Sequence, residues 1–230
     1  MITTNAEIKI EKRVSESLFL ISVTLERYKQ WIPGMFLQIS IDEKTASEPW
    51  LDGRAFSFAN WGSEKALILV RKEGAFTTSL IAKAMKGFIT SVRYPFGDFL
   101  LDSNSNKVFI AGGAGISVFL SYLDYIKVNN ILRKILLVHS AKRSFETAKN
   151  IYDSVIPTNV LLKQFITYKR DPKYTGRPTF DVLTTLDTGF DKFEYYVCGP
   201  QKFNSFWQEE LRSVGIIPKV EQWENWVTGK

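Results

Sequence analysis

A single cysteine, Cys198, and a single histidine, His139, occur in the 230 residues. One cysteine excludes an internal disulfide, and neither a cysteine-ligated iron–sulfur cluster nor a structural zinc site can be built from this chain. One histidine argues equally against a histidine-based metal centre and a serine hydrolase triad. Also missing is any apolar run near the ~20 residues that span a bilayer. The opening Met1-Ile2-Thr3-Thr4-Asn5-Ala6-Glu7-Ile8 carries neither the basic nor the apolar block of a signal peptide. The expectation is a soluble, cytoplasmic protein with no membrane span and no metal.

The charge is +6, from 30 basic and 24 acidic side chains, and the basic residues are scattered along the chain. Scattered lysines read first as a solvated surface, and second as a docking face for an acidic partner or anionic cofactors. Nucleic acid is not expected, because no basic helix or recognition motif accompanies the charge.

Two halves differ in pattern. Up to about Leu101, short stretches alternate with period two between turns such as Pro33-Gly34, Asp52-Gly53 and Phe96-Gly97-Asp98. Strands are predicted at Glu7 to Val14, Leu18 to Leu25, Met35 to Ile41, Arg54 to Phe58, Ala66 to Arg71 and Phe88 to Arg93, with one helix at about Thr77 to Met85. This is the pattern of a small antiparallel β-barrel, assigned to residues 1–102. After the polar stretch Asp102-Ser103-Asn104-Ser105-Asn106, strands at Lys107 to Ala111, Ile135 to Val138, Val160 to Thr167 and Glu194 to Cys198 alternate with helices. The helices are predicted at Ile116 to Val128, Ser144 to Ser154, Thr179 to Leu186 and Pro200 to Val214. Such alternation predicts a parallel-sheet, Rossmann-like α/β domain over 103–230.

Four segments carry candidate chemistry. In Arg54-Ala55-Phe56-Ser57, alternation places Arg54 and Phe56 on one face and Ser57 on the other or at the strand end. A guanidinium and a flat ring can then meet one ligand that combines phosphate with an aromatic system; surface and core positions are the plain alternative. Gly74-Ala75-Phe76-Thr77 opens a helix whose free N–H groups and dipole suit an anion, or whose hydroxyls simply cap it. Gly112-Gly113-Ala114-Gly115-Ile116-Ser117 joins an apolar strand to a helix, as a pyrophosphate loop requires. Val118 stands where the usual dinucleotide fingerprint has its third glycine, and a tight packing turn stays open. Cys198-Gly199-Pro200 falls at the carboxyl end of a parallel strand, the ligand-binding edge of such sheets, although a lone cysteine there also serves as a small apolar side chain.

In this order and spacing the segments resemble the ferredoxin–NADP reductase superfamily over nearly the whole chain. The resemblance implies that Arg54, Phe56 and Ser57 hold a flavin, by phosphate, ring face and hydrogen bond respectively, with Phe56 in place of the usual tyrosine. It implies that Gly74, Ala75, Phe76 and Thr77 bind its pyrophosphate, which favours FAD over FMN. Tyr94-Pro95-Phe96-Gly97 is similar to the turn that closes the barrel. Gly112 to Ser117, with Cys198, Gly199 and Pro200, would bind the nicotinamide cofactor. Glu224-x-Trp226 fits the terminal Glu-x-aromatic element, with Glu221-x-Trp223 as an open alternative. Ser57, Cys198 and Glu224 would surround the hydride transfer and Trp226 would cover the flavin.

The implied activity is hydride transfer from NAD(P)H to FAD and onward electron transfer to an external acceptor, since the chain has no cysteine set for its own cluster. An acidic ferredoxin or flavodoxin is the first expectation, free flavin or another diffusible acceptor the second. A nucleotide-sensing subunit without turnover is the non-enzymatic alternative. Past Ile135 to Val138 the chain reads His139-Ser140-Ala141-Lys142-Arg143, with no carboxylate before Glu146. Basic side chains there, with Arg170 and Arg177, point to NADPH over NADH, although the resemblance also covers NADH users with a basic residue at this place.

Overall fold

The computed structural model describes residues 1–45, 47–101, 104–152, 156–185 and 192–221. They form two compact units, one over Met1–Leu101 and one within Asp102–Gln222.

The first unit is a six-stranded antiparallel sheet, curled almost into a barrel. Its strands are β1 (Ile2–Arg13), β2 (Leu18–Leu25), β3 (Phe36–Ile39), β4 (Arg54–Ser57), β5 (Lys65–Arg71) and β6 (Phe88–Phe96), in the order β4-β3-β6-β1-β2-β5. A bridge between Phe58 and Ile68 ties the end of β4 to β5 and nearly closes the ring. Alternation decides which side chains face in: Ala6 and Ile8 of β1, Phe19, Ile21 and Val23 of β2, and Ala66, Ile68 and Val70 of β5 share one buried core. Trp31 stacks on Phe58 at 4.1 Å, and Tyr94 meets both rings edge-on. Burying such rings supplies much of a small core's stabilisation.

β1 begins at Ile2, five residues before the predicted start. Its polar first residues lack a period-two signal and become strand because Ile2 to Ile8 pair with Tyr94 to Phe88 of β6. Pairing with β3, where Phe36 stands opposite Phe96, carries β6 on to Phe96, so Tyr94, Pro95 and Phe96 are strand residues and Gly97 follows the strand. The Tyr94 hydroxyl donates to the Arg27 carbonyl at 2.6 Å and accepts from the Lys29 N–H at 2.9 Å, which makes it a core residue. The helix α1 (Ala75–Ala84) starts two residues earlier than predicted.

The second unit is a parallel sheet of β7 (Asn106–Gly112), β8 (Ile135–Ala141), β9 (Val160–Ile166), β10 (Phe193–Cys198) and β11 (Lys219–Val220), ordered β11-β10-β7-β8-β9. Its helices are α2 (Ile116–Val128), α3 (Ala148–Tyr152) and α4 (Gln201–Ser213). Phe119 of α2 stacks on Phe109 of β7 at 4.5 Å.

Two predicted helices differ from expectation within the described residues. Between Ser144 and Tyr152 the backbone is extended at Thr147, and Asn150 Nδ2 donates to the Ser144 carbonyl and the Thr147 hydroxyl, so local polar bonds replace one continuous helix. Ser154 lies outside the described residues. The segment Phe180–Thr185 is a 3-10 turn, and Leu186 lies outside the described residues. β11 was not predicted, being two residues long and defined only by pairing with Tyr196 and Val197.

At the amino edge of this sheet, Lys107 is wholly buried. Its ammonium meets Glu194 Oε2 at 3.1 Å and the Ser105 hydroxyl at 3.2 Å, beside the rings of Tyr122 and Tyr196. Burial pushes the Tyr122 hydroxyl up to about 12.

Candidate functional site

The chain leaves β7 in the middle of the second sheet, adds β8 and β9 on one side, then returns to place β10 on the other. The direction of strand addition reverses between β7 and β10, and it is at the carboxyl ends of strands flanking such a reversal that open α/β sheets bind ligands. Both candidate loops lie there. A Cβ on Gly115 would sit 2.4 Å from the Cys198 carbonyl oxygen; one on Gly199 would sit 2.7 Å from the Phe203 ring and 3.0 Å from the Gly112 Cα. One on Gly112 would press on Phe203 and Pro200, while Gly113 has φ +55°. The glycines are therefore required by loop-on-loop packing and by one left-handed backbone position. That packing brings the Cys198 carbonyl against the first turn of α2, which carries no side-chain cap and no acidic residue. Ala114 is half-buried, Ile116 and Ser117 are buried, and Pro200 is exposed. The Cys198 side chain is fully buried, as the plain reading of a lone cysteine expects.

Two residues of this site carry no motif. His139 of β8, also fully buried, has Nε2 3.1 Å from the Gly113 carbonyl, and so anchors the glycine loop. Phe203 of α4 fills the space that Gly112 and Gly199 leave. The lone histidine in an apolar strand was a signal for the first; the second had none beyond helical spacing.

At the carboxyl end of β8, Ser140 and Arg143 are half-buried and Lys142 is exposed. The Arg143 guanidinium lies over the Tyr168 ring, 3.6 Å from its centroid. Arg170 and Arg177 are exposed on the segment after β9.

In the first unit, β4 pairs with β3 from Arg54↔Ile39 to Ser57↔Phe36. Arg54, Ala55 and Phe56 are half-buried, and Ser57 is 4% exposed. The start of α1 comes up against this strand: Phe76 lies 6.3 Å from the Phe56 ring at 27°, and Arg54 stands 5.5 Å over the Phe76 ring. Among the described residues, Arg54 Nη1 donates only to the Asp52 and Gly53 carbonyls, at 3.3 and 3.1 Å. Gly74 caps α1 at φ +86° with open space where a side chain would stand; beyond it Ala75 is exposed. Thr77 Oγ1 accepts from the Glu73 N–H at 2.8 Å, so it does not cap, and no side chain caps the helix start.

The Ser57 hydroxyl is buried and has no hydrogen-bond partner among the described residues. Leaving such a group unpaired costs about 1–3 kcal/mol, which a ligand polar atom can recover. An orphan hydroxyl, an arginine bonded only to two carbonyls and an uncapped helix start fit a flavin that carries phosphate. Glu224 and Trp226, like Trp223, lie outside the described residues; Glu221 is described and its N–H donates to the Val197 carbonyl. Among the described residues no cluster of histidine, cysteine and carboxylate groups is placed to hold a metal ion, and no helix is long and apolar enough to cross a membrane.

No protein-family profile matches the chain. It is 24% identical over 234 residues to a flavohemoprotein of Oceanobacillus iheyensis, a match that covers 91% of this chain and 56% of the relative. The chain thus spans about half the length of the curated relatives it matches. Among solved structures, it is similar to the flavohem-like FAD/NAD binding domain of a nitric oxide dioxygenase from Vibrio cholerae, with TM-score 0.75, 14% identity and coverage of 95% and 99% of the two chains. A ferredoxin–NADP+ reductase from Neisseria gonorrhoeae with bound FAD and NADP gives TM-score 0.74 at 16% identity, covering 93% and 92%. The nearly closed antiparallel barrel and the parallel α/β unit are those of the ferredoxin–NADP reductase-like fold, as the sequence motifs implied.

Proposed function

We propose that this chain, with its ferredoxin–NADP reductase-like fold, is a flavin-dependent NAD(P)H oxidoreductase that binds FAD on its barrel and the nicotinamide dinucleotide on its parallel sheet. The observation that carries the reading is the buried, unpartnered Ser57 hydroxyl at the end of the strand that also presents Arg54 and Phe56. Bound together, the two cofactors supply the hydride chemistry. The protein's part is to hold them. Arg54 and the uncapped N–H groups of α1 take phosphate, Phe56 offers a ring face and Ser57 a hydrogen bond, with Gly74, Ala75, Phe76 and Thr77 shaping the phosphate end. Gly112 to Ser117 and Cys198 to Pro200 cradle the dinucleotide, and Glu224 and Trp226 complete the assignment.

The electrons leave for an acceptor outside the chain. The +6 charge supports an acidic ferredoxin or flavodoxin. A haem protein is the second reading, favoured by the flavohemoprotein relative of which this chain matches only part. We place the reaction in the cytoplasm.

Denaturing the protein and chromatographing the released chromophore is expected to give one FAD per chain, and anaerobic NAD(P)H is expected to bleach the bound flavin. A colourless protein that takes up no added FAD overturns the reading; a flavin that stays oxidised with both nicotinamides indicates a sensing subunit. Because Lys142 and Arg143 stand at the end of β8, kcat/KM is expected to favour NADPH over NADH. A preference for NADH, undiminished when both residues are changed to alanine, would refute that assignment.

A further inference from the structure

We propose that Asp171 is the positioning residue for the adenosine end of the dinucleotide site, where it holds Arg143 ready for a ribose 2′-phosphate. The proposal rests on the preceding reading that the second unit takes a nicotinamide dinucleotide at the carboxyl edge of its sheet.

The ladder between β8 and β9 continues past both strands: the Thr167 and Tyr168 N–H groups donate to the Ala141 and Lys142 carbonyls at 3.0 and 3.1 Å. The turn carrying Arg143 and the turn carrying Tyr168 thus run side by side. Asp171 fastens them. Its Oδ2 accepts the Ser144 N–H at 2.9 Å, its Oδ1 accepts the Lys173 N–H at 2.9 Å, and its own N–H donates to the Tyr168 carbonyl at 2.9 Å. The residue is 6% exposed. The Ser144 N–H, then that of Lys173, hold its carboxyl below the ordinary aspartate range against the opposing effect of burial, with smaller help from the Ser144 hydroxyl and, least, from the charge of Arg143.

What this carboxylate does not do is equally informative. No ion pair joins it to Arg143 among the described residues, although Arg143 lies close enough for its charge to be felt. Arg143 is held by the Tyr168 ring at 3.6 Å, and its guanidinium makes no hydrogen bond to a described residue. A cation fixed by an aromatic face keeps its planar fork of donors for a ligand oxyanion, whereas a cation fixed by a carboxylate would spend it. Asp171 spends its oxygens on two backbone N–H groups and is shielded from solvent, so it neither competes for Arg143 nor offers itself to a ribose hydroxyl. A sequence scan for a carboxylate after β8 does not meet Asp171, because it arrives from the segment after β9.

The test uses the full chain and two probes, 2′,5′-ADP and 5′-AMP, titrated calorimetrically. Wild type is expected to bind 2′,5′-ADP more tightly. In Asp171→Ala that preference is expected to fall about tenfold, as loss of a charge-assisted hydrogen bond allows, with 5′-AMP affected less than about twofold. KM for NADPH should rise in step while kcat holds. Asp171→Asn, whose amide oxygen can still accept the Ser144 N–H, should recover most of the preference and guards against a variant that fails to fold. Arg143→Ala/Asp171→Ala should discriminate no worse than Arg143→Ala alone. Equal weakening of both probes in Asp171→Ala, or a wild type indifferent to the 2′-phosphate, overturns the proposal. A protein without flavin that still discriminates through Asp171 would sink the oxidoreductase reading and leave this one standing.

Discussion

Gly115→Ala is expected to slow reduction of the bound flavin by NADPH at least ~100-fold while the purified protein retains its flavin. The added methyl would lie 2.4 Å from the Cys198 carbonyl oxygen, 2.7 Å from its carbon and 3.0 Å from the Gly199 nitrogen. All three are backbone atoms, so no rotamer change can relieve the contact, and either the start of α2 or the end of β10 must move. Overpacking of this kind costs about 1–3 kcal/mol. The larger expected effect is on rate, because the proposed function has these loops position the dinucleotide, and a displacement near an ångström would then destroy alignment for hydride transfer. Gly215→Ala is the contrast. It has φ +80° and no atom within 4 Å of the added methyl, so it is expected to cost about 1 kcal/mol of stability and nothing in rate. Stopped-flow reduction under anaerobic conditions reads both variants. A Gly115→Ala rate within threefold of wild type would show that the contact between these loops does not set the geometry of transfer.

Lys107→Met is expected to have the opposite profile, with stability lost and reduction kinetics preserved. Lys107 sits at the amino edge of the sheet, away from the carboxyl edge that carries the glycine loop. Removing one partner of a buried pair typically costs about 3–5 kcal/mol, because the other charge is left uncompensated. Here the side chain of Glu194 is one-third exposed, keeps the Tyr196 hydroxyl at 2.9 Å and has the Lys219 ammonium 3.9 Å away. A loss of about 2–3 kcal/mol is therefore expected. Adding Glu194→Gln should return about half of it, since no stranded carboxylate then remains. Urea denaturation with flavin-independent detection decides; a single variant within 0.5 kcal/mol of wild type, a threshold on the order of ordinary surface substitutions, would mean that Lys219 alone neutralises Glu194.

Both predictions depend on contacts that differ in how far they can be read from the chain. The sequence predicts α2 at Ile116 to Val128 and the structure has it there, because a three-glycine turn precedes a run whose apolar residues continue around the helix. β2 was likewise readable, its buried Phe19, Ile21 and Val23 spaced by two. At Ser144 to Ser154, helical propensity misled, because Thr147 and Asn150 find backbone and hydroxyl partners outside a helix. For the candidate site, the sequence supplied Arg54, Phe56, Ser57 and the two glycine loops. It did not supply His139 under Gly113, Phe203 between the loops, or Asp171 beside Arg143.

The division follows from the range of the forces. Side-chain period, glycine freedom and residue inventory act within a few positions, so the sequence by itself determined most of the succession of strands and helices and the kinds of ligand the motifs could meet. Sheet register and loop contact act between segments far apart. The strand character of Ile2 to Asn5 comes from β6, that of Lys219–Val220 from β10, and the need for glycine at 115 from a carbonyl at 198. Whether a hydroxyl such as Ser57 is orphaned, or a carboxylate such as Asp171 is spent on backbone, is settled only when those distant segments close around it.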